Sequence, residues 1–281
     1  MTTQGIYFGG IEHGVNFRLP YKQIVRFQPY SDAVGICKNG GRWSVSLIIR
    51  DVNRLDLSIL HFINSLAHRS LVFDELIVLV SNNNFLKGAL IFAVMWYLWF
   101  QYEGDRNKHE YLLAGVGASF IGLTLAKILT WLIVRPRPFN DPSLAIRIPY
   151  GIERASWEGL NSFPSDHEVL FFALATGIFF ASRQAGWLVF IYISAFICLP
   201  RIYLGIHYPT DVLAGAAIGL SIGWLVHLPA IRKPFTYWAL RCLDARPGQF
   251  YFFSFLLAYL ICELFDPLIR VASFMRHGYL H

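Results

Sequence analysis

The sequence predicts an all-α fold, a polytopic transmembrane helix bundle of about six spans with interfacial amphipathic helices and a small N-terminal extension. Charged residues make up only 15% of the 281 residues, whereas soluble domains carry about 25%. Hydrophobic residues make up 55% of the chain, and its mean hydropathy is +0.45. Six segments approach the roughly 20 apolar residues that a helix needs to cross a bilayer.

Residues 1–54 are predicted to form the polar extension, because they contain no apolar run of spanning length. Asn39-Gly40 precedes the alternating run 43–47, a pattern that favours a β-hairpin. The opening residues lack a basic start followed by an apolar core, so no signal peptide is expected.

Residues 55–84 are predicted to form amphipathic helices that lie at the membrane interface. Polar side chains such as Asp56, Asn64 and Asp74 make this stretch too polar to span the bilayer. The apolar residues between them supply a face that can enter the headgroup region.

The remaining chain is predicted to hold the spans. Their positions are 85–100, 111–134, 167–181, 186–199, 211–228 and 250–268. The third and fourth spans are short and are separated by residues 182–185, which suits a tight helical hairpin. Small residues at 214–217, Gly219 and Gly223 favour close helix contact in lipid. We therefore expect a transmembrane core at 85–229 and a cytoplasmic loop with an added C-terminal span at 230–281.

Three polar clusters interrupt the apolar pattern at the ends of predicted spans. They consist of Lys127 with residues 135–138, of residues 162–167, and of residues 200–211. The loop between the first two clusters does not cross the membrane, and the chain crosses twice before the third. All three clusters are therefore predicted to share one membrane face, where so many ionisable groups are costly unless they have a function.

The residue types in these clusters suit a bound phosphate group. Arg135, Arg137 and Arg201 can grip phosphate oxygens with planar guanidinium groups. Residues 164–166 predict the start of a helix, with Ser165 or Asp166 as its cap, and free N–H groups at a helix start favour an anion.

Two histidines are the candidates for proton transfer and nucleophilic attack. His167 would lie in the first turn of that helix, beside the bound phosphate, as a proton donor. Asp211 follows His207 by four positions, and this spacing can let the carboxylate hold one ring nitrogen while the other attacks phosphorus.

No metal or cofactor is expected, because the acidic residues near the clusters are not spaced like a two-metal site. These residues are Asp141, Glu153, Glu158, Asp166, Glu168 and Asp211. The four cysteines are scattered and suggest neither a zinc site nor a disulfide framework. Although the net charge is +6, the basic residues form no dense run, so membrane lipids rather than nucleic acid are the expected partners.

Residues 85–228 resemble the type-2 phosphatidic acid phosphatase superfamily, whose pattern reads Lys-x6-Arg-Pro, Pro-Ser-Gly-His and Ser-Arg-x5-His-x3-Asp. Residues 164–167 match the second element, with Asp166 in place of glycine. Arg201, His207 and Asp211 match the third element at the family spacing, although a proline precedes Arg201 where the family has serine.

The first family element departs from its pattern in this chain. Arg137 is the better equivalent of the family arginine, but counting back from it reaches Thr130 rather than lysine. Lys127 lies about one helical turn before Thr130 and is the remaining candidate.

The resemblance implies a metal-independent phosphatase that acts on a lipid phosphate through a phosphohistidine at His207. Asp211 would orient His207, and His167 would protonate the leaving group and then activate water. The phosphate oxygens would be held by residues drawn from all three clusters, namely Arg137, Arg201, Ser165, Lys127, Arg135 and Asp166.

Residues 162–167 and 201–211 look most like bacterial polyprenyl diphosphate phosphatases, so undecaprenyl diphosphate is the first substrate expected. One alternative is a phosphotransferase that passes the phosphoryl group from His207 to a lipid such as lipid A. A second alternative is a non-catalytic transporter or lipid-binding scaffold, which the position of the polar groups at span ends disfavours.

The distribution of basic residues predicts the orientation. Loops on the face opposite the clusters carry Arg106, Lys108, Arg183, Arg232, Lys233, Arg241 and Arg246. Once the candidate site arginines are set aside, the loops on the cluster face carry Arg147 and Arg154. The positive-inside rule then predicts an active site outside the cytoplasm, although the basic N-terminal region does not fit both termini on that side. With the resemblance to bacterial phosphatases, this implies a bacterial inner-membrane protein whose active site faces the periplasm.

Overall fold

Helices dominate the part of the chain that the computed structural model describes, which comprises residues 25–26, 34–39, 42–49, 52–152 and 161–264. The chain divides into two units, Met1–Leu47 and Ile48–His281. Three loop residues from the sequence analysis, Glu153, Arg154 and Glu158, lie outside the described residues, as do residues 265–268 of the last predicted span.

The first unit contains antiparallel strands. These are β1 (Val25–Arg26), β2 (Val34–Asn39) and β3 (Arg42–Ile48). Val25 pairs with Cys37, and Asn39 pairs with Arg42 where β2 ends and β3 begins. The hairpin predicted around Asn39-Gly40 is therefore confirmed.

Two helices with exposed apolar residues open the second unit. The side chain of Asn53 accepts a hydrogen bond from the Asp56 N–H at 2.6 Å and so caps α1 (Arg54–Asn64), and Ser70 caps α2 (Leu71–Asn82). Phe62 and Val72 are more than two-thirds exposed, as expected of helices that contact lipid headgroups. Helices are thus confirmed in the predicted amphipathic stretch.

A bend of 66° separates α2 from the helical segment that follows it. This segment begins with the π-helical turn Phe85–Ala89 and continues as α3 (Leu90–Gln101). The predicted first span, 85–100, is therefore helical throughout.

In the described ranges, the bundle continues with seven further α-helices, of which the first six are named next. They are α4 (Arg106–Leu132), α5 (Asp166–Ala181), α6 (Arg183–Ile193), α7 (Leu199–Tyr203), α8 (Pro209–Val226) and α9 (Pro229–Ala245). A π-helical turn, Ser194–Cys198, joins α6 to α7, the two-residue strand β4 (Ile133–Val134) follows α4, and α10 (Pro247–Cys262) follows α9. Most residues of α5 are buried, because it packs against α4, α6 and α8 at the centre of the bundle.

Three helical segments in the described ranges are long and apolar enough to cross a membrane: Arg106–Leu132, Arg183–Tyr203 and Pro209–Val226. The bent pair of α2 and the following segment would provide a fourth span if it crosses as one. The predicted span at 167–181 coincides with α5, which has 16 residues, and the chain turns back at Ser182 as expected for a tight hairpin. The helical membrane bundle is confirmed, whereas the number of six spans stays a prediction.

Glycines allow α8 to lie directly against α5. A Cβ atom added to Gly219 would come within 2.5 Å of the Val169 carbonyl oxygen, and one on Gly215 within 2.7 Å of the Ser165 carbonyl oxygen. Gly223 is equally close to the next turn of α5. The close contact predicted from these small residues is confirmed, and it places the first turns of both helices side by side.

A buried ionic network fixes the start of α8. The Arg135 guanidinium donates to Asp56 Oδ2 at 2.7 Å, to Thr210 Oγ1 at 2.8 Å and to Asp211 Oδ1. Thr210 in turn donates to Asp56 from its N–H and its hydroxyl, and the guanidinium lies 4.0 Å from the centre of the Tyr208 ring. Burial alone would lower the pKa of Arg135, but the charges of Asp211 and Asp56 outweigh burial and raise that pKa above its ordinary value.

We expect Gly219→Ala to lower the free energy of unfolding by about 2 kcal/mol, because the added methyl group forces α5 and α8 apart. Denaturant titration of the protein in detergent micelles measures this change. Gly248→Ala is the matched control, since a Cβ there meets no heavy atom within 4 Å. Equal losses in the two variants would contradict the close contact.

Asp56→Ala should cost about 3 kcal/mol, because it leaves the buried Arg135 with one carboxylate partner and Thr210 without its acceptor. The same titration measures the loss. Asp244→Ala removes the carboxylate of a pair with Arg106 whose side chains are 60% and 57% exposed, and it should cost less than about 1 kcal/mol. A loss of that small size for Asp56→Ala would show that the network does not hold α1 to α8.

Candidate active site

The three polar clusters meet at one end of the bundle. The Ser162 N–H donates to the Arg135 carbonyl oxygen at 2.8 Å, which joins the second cluster to the first. An Arg201 Nη2 atom lies 2.8 Å from His167 Nε2, which joins the third cluster to the second. The convergence predicted from counting membrane crossings is therefore present in the structure.

His207 lies in the loop between α7 and α8, and its ring is held by the backbone. Gly205, with a φ of +67°, turns the chain out of α7, and Pro209 starts α8 immediately after the loop. His207 Nδ1 lies 2.7 Å from the Ser162 carbonyl oxygen. Because a carbonyl oxygen only accepts, Nδ1 carries the hydrogen and Nε2 keeps its lone pair.

The surroundings of His207 favour the neutral ring. Its side chain is buried, and burial together with the charges of Arg137 and Arg201 holds the pKa of His207 well below its ordinary value. A neutral imidazole with a free Nε2 atom is a nucleophile.

Asp211 does not hold the His207 ring, so this part of the sequence prediction was wrong. Its Oδ2 atom accepts a hydrogen bond from the Tyr208 N–H at 2.9 Å, and its Oδ1 atom accepts from Arg135. The four-residue spacing brings two side chains together only within a helix, and His207 precedes the first turn of α8. Asp211 instead closes the capping box of α8 and anchors the loop that carries His207.

Arg135 was predicted to bind phosphate, and the structure assigns it another position. Its guanidinium is only 5% exposed and donates to Asp56, Thr210 and Asp211. Asp56 was missed as a partner because it lies 79 positions away in a stretch predicted to be interfacial. The signal in the sequence that could have indicated this partner is that Asp56 is an acidic residue near the start of an amphipathic helix.

Arg137 and Arg201 provide positive charge beside His207. Burial, and then the charge of Arg201, lower the pKa of Arg137 to about 10, so the Arg137 guanidinium remains protonated at neutral pH. Arg137 Nε donates to the Asn161 carbonyl oxygen at 3.2 Å, which orients its guanidinium. Two neighbouring cations repel each other, and a bound anion would relieve this repulsion.

Two serine hydroxyl groups lie buried in the second cluster. Ser162 Oγ and Ser165 Oγ have no partner at hydrogen-bonding geometry. Ser165 is the residue before α5, as predicted, but its hydroxyl makes no cap hydrogen bond. Buried hydroxyl groups are normally paired, and here Ser162 lies against the Asp211 carboxylate and Ser165 against the Glu168 carboxylate, so each hydroxyl must turn from its neighbour to contact a ligand. Ser165 was predicted to bind phosphate, whereas Ser162 was not.

Lys127 and Asp166 were both predicted to contact phosphate, and the structure pairs them with each other. Lys127 Nζ lies 2.7 Å from Asp166 Oδ2, and the second Asp166 oxygen lies 2.8 Å from His167 Nδ1. The carboxylate is thus engaged at both oxygens. A carboxylate also repels a phosphate group, so Asp166 is better suited to contact His167 than to contact phosphate.

Comparisons with known proteins identify relatives of this chain. Residues 110–230 match the PAP2 superfamily. A lipid A 1-phosphatase of Rhizobium etli is 31% identical over 211 residues, which cover 68% of this chain and 84% of the relative. Undecaprenyl-diphosphatase BcrC of Bacillus subtilis is 27% identical over 192 residues, which cover 68% of this chain and 93% of the relative.

A crystal structure, that of Aquifex aeolicus LpxE, aligns with 64% of this chain and 98% of its own at 22% identity and a TM-score of 0.44. The matched range 110–230 includes all three polar clusters. The extent of the Rhizobium match, together with the clusters and the helical membrane bundle, decides the classification. The chain belongs to the PAP2 superfamily and is an integral membrane phosphatase.

Proposed function

We propose that the protein is a metal-independent lipid phosphate or diphosphate phosphatase that works through a phosphohistidine at His207. One observation carries the proposal: His207 Nδ1 is bound to the Ser162 carbonyl oxygen, which leaves Nε2 as a free lone pair next to two guanidinium groups. A carbonyl partner fixes the tautomer of the ring as a carboxylate would, without adding a negative charge that repels phosphate.

In the first step, His207 Nε2 attacks phosphorus and forms a P–N bond, while the P–O bond to the leaving group breaks. The leaving oxygen takes the proton from Nε2 of a protonated His167. Binding of a phosphate anion beside Arg137 and Arg201 offsets their charges and makes protonation of His167 easier.

In the second step, a water oxygen attacks phosphorus and the P–N bond breaks, which returns the electron pair to His207 Nε2. The neutral His167 takes a proton from that water and regains its starting state. The products of the full reaction are the dephosphorylated lipid, or the lipid monophosphate from a diphosphate, and inorganic phosphate.

Phosphoryl transfer depends mainly on positioning and on neutralising the charge of the equatorial oxygens. Arg137 and Arg201 supply the positive charge, and the hydroxyl groups of Ser162 and Ser165 add donors when they turn from Asp211 and Glu168 to the phosphate. The N–H groups at the start of α5 add further donors aligned with the helix dipole.

Undecaprenyl diphosphate is the proposed first substrate. Its support is the likeness to the Bacillus subtilis undecaprenyl-diphosphatase, which extends over 93% of that relative. The lipid A 1-phosphatase of Rhizobium etli and the lipid A 4'-phosphatase of Bacteroides thetaiotaomicron favour a second candidate, a lipid A phosphate. Transfer of the phosphoryl group from His207 to an acceptor lipid is the alternative reaction.

We expect His207→Ala to reduce phosphate release from undecaprenyl diphosphate by at least about a thousandfold, because the nucleophile is lost. The assay measures inorganic phosphate released by purified protein in detergent, with and without EDTA. His61→Ala, on the exposed face of α1, is the matched control and should retain full activity.

Activity should persist in EDTA. Its loss there would overturn the metal-independent mechanism, and unchanged activity in His207→Ala would overturn the assignment of the nucleophile. Phosphate that appears on an added lipid A acceptor instead of in solution would establish the transferase.

We also propose that the protein resides in a bacterial inner membrane with the site facing the periplasm. Basic residues gather at the other end of the bundle, where Lys108 Nζ donates to the Ala181 carbonyl oxygen at 2.6 Å and Arg232 pairs with Glu110 at 3.1 Å. Positive charge concentrates on the cytoplasmic side of membrane proteins.

Single cysteines placed in a cysteine-free background test this orientation. An impermeant maleimide should label Ser143→Cys, in an exposed turn at the site end, in intact spheroplasts. Glu103→Cys, in the exposed turn between α3 and α4, should react only after lysis. The reverse pattern would place the site in the cytoplasm.

A further inference from the structure

A carboxylate contacts the ring nitrogen of His167 that faces away from Arg201. Asp166 Oδ1 lies 2.8 Å from His167 Nδ1, while His167 Nε2 lies 2.8 Å from Arg201 Nη2. The second Asp166 oxygen lies 2.7 Å from Lys127 Nζ. Four side chains from α4, α5 and α7 therefore form one continuous line of contacts, in which His167 Nε2, the proposed proton-transfer atom, contacts Arg201.

We propose that Asp166 is a positioning residue that fixes the tautomer of His167 and strengthens its hold on a proton, and that Lys127 moderates this effect. The proposal rests on the proposed function. The family pattern has glycine at the position of Asp166, so the carboxylate supplies a contact that the family motif itself lacks.

The tautomer follows from the contacts of the ring. An ionised carboxylate only accepts hydrogen bonds, so the hydrogen of a neutral His167 lies on Nδ1. The lone pair on Nε2 then accepts from Arg201, and it can take a proton from water in the second step once Arg201 has turned to the bound phosphate. Once Nε2 is protonated, the positive ring lies against the Asp166 carboxylate, which stabilises the acid form needed in the first step.

A carboxylate is needed here because the neighbouring charges otherwise oppose a protonated ring. The His167 side chain is 13% exposed, and Arg201 and Lys87 act on it as positive charges. The charged groups around the site come from five parts of the chain and are Arg137, Arg201, Lys87, Lys127, Asp166 and Glu168. Asp166 is the carboxylate in direct contact with the ring, whereas Glu168 is buried beside Ser165 and the charge of Arg201.

Lys127 lies at the other end of this line of contacts and opposes the effect of Asp166 on the His167 ring. Its side chain is 48% exposed, and its ammonium group withdraws part of the Asp166 charge from the ring. This placement accounts for a lysine at a spacing that departs from the family pattern, because Lys127 contacts Asp166 from the adjacent helix α4.

The test is the pH dependence of kcat/KM for phosphate release by Asp166→Asn, Asp166→Gly and Lys127→Met. In both Asp166 variants the basic limb should move down by about one pH unit, because the acid form of His167 loses its partner. The KM should change less than about twofold, since His207 and the phosphate donors are untouched. Lys127→Met should move the basic limb in the opposite direction.

Two variants at position 166 keep the test decisive if one of them folds poorly. Asp166→Asn preserves the side-chain shape without its charge, and Asp166→Gly restores the family residue. A basic limb that stays in place in both, or a fall in rate that is the same at every pH, would overturn the positioning role.

A second readout separates this proposal from the proposed function. Nitrogen NMR of ¹⁵N-histidine-labelled protein reports the ring tautomer without any turnover, and the His167 signals are identified by their loss in His167→Asn. The neutral ring should carry its hydrogen on Nδ1 in the unsubstituted protein, and this preference should weaken in Asp166→Gly, where the Arg201 donor at Nε2 is the contact that remains. If phosphate release fails but this signature is present, the substrate assignment alone is wrong, and absence of the signature overturns the role of Asp166.

Discussion

The buried guanidinium of Arg135 is the contact on which the geometry of the active site depends. A charge in a low-dielectric interior requires partners, and Arg135 meets this requirement with Asp56 from α1 and Asp211 from α8. The Asp211 carbonyl oxygen accepts the Ser165 N–H at 3.4 Å, and the Arg135 carbonyl oxygen accepts the Ser162 N–H. The segment that orients His207 and the start of α8 are thus both positioned against the same residue.

The three arginines near the site have different electrostatic surroundings. Arg135 is neutralised within the protein, whereas Arg137 and Arg201 keep their charge beside a His207 ring that is itself neutral. In the proposed mechanism, the site therefore presents positive charge and an uncharged nucleophile to a phosphate group. In this proposal, the two arginines of one Arg-Pro-Arg-Pro run, 135–138, have different roles: Arg135 is structural and Arg137 faces the substrate.

The sequence predicted the fold class and the convergence of the clusters, because both follow from hydropathy and from the number of membrane crossings between motifs. It could not predict the partners within the site. Asp56 reaches Arg135 across 79 positions, and no local pattern indicates such a contact. The pairing of His207 with Asp211 failed because a four-residue spacing was interpreted as helical where α8 begins only at Pro209. Likewise, Lys127 and Asp166 lie on different helices, so their contact depends on the packing of α4 against α5.

The group that orients His207 is a main-chain carbonyl, which a single substitution does not remove. A peptide oxygen is present whichever amino acid occupies position 162, so substitutions there leave the acceptor of the His207 ring in place. Mutational drift can remove a carboxylate in one step, whereas the Ser162 carbonyl is lost only when the whole segment shifts. The acceptor therefore depends on the residues that hold this segment, such as Asn161, whose side-chain oxygen accepts the Arg135 N–H at 2.8 Å.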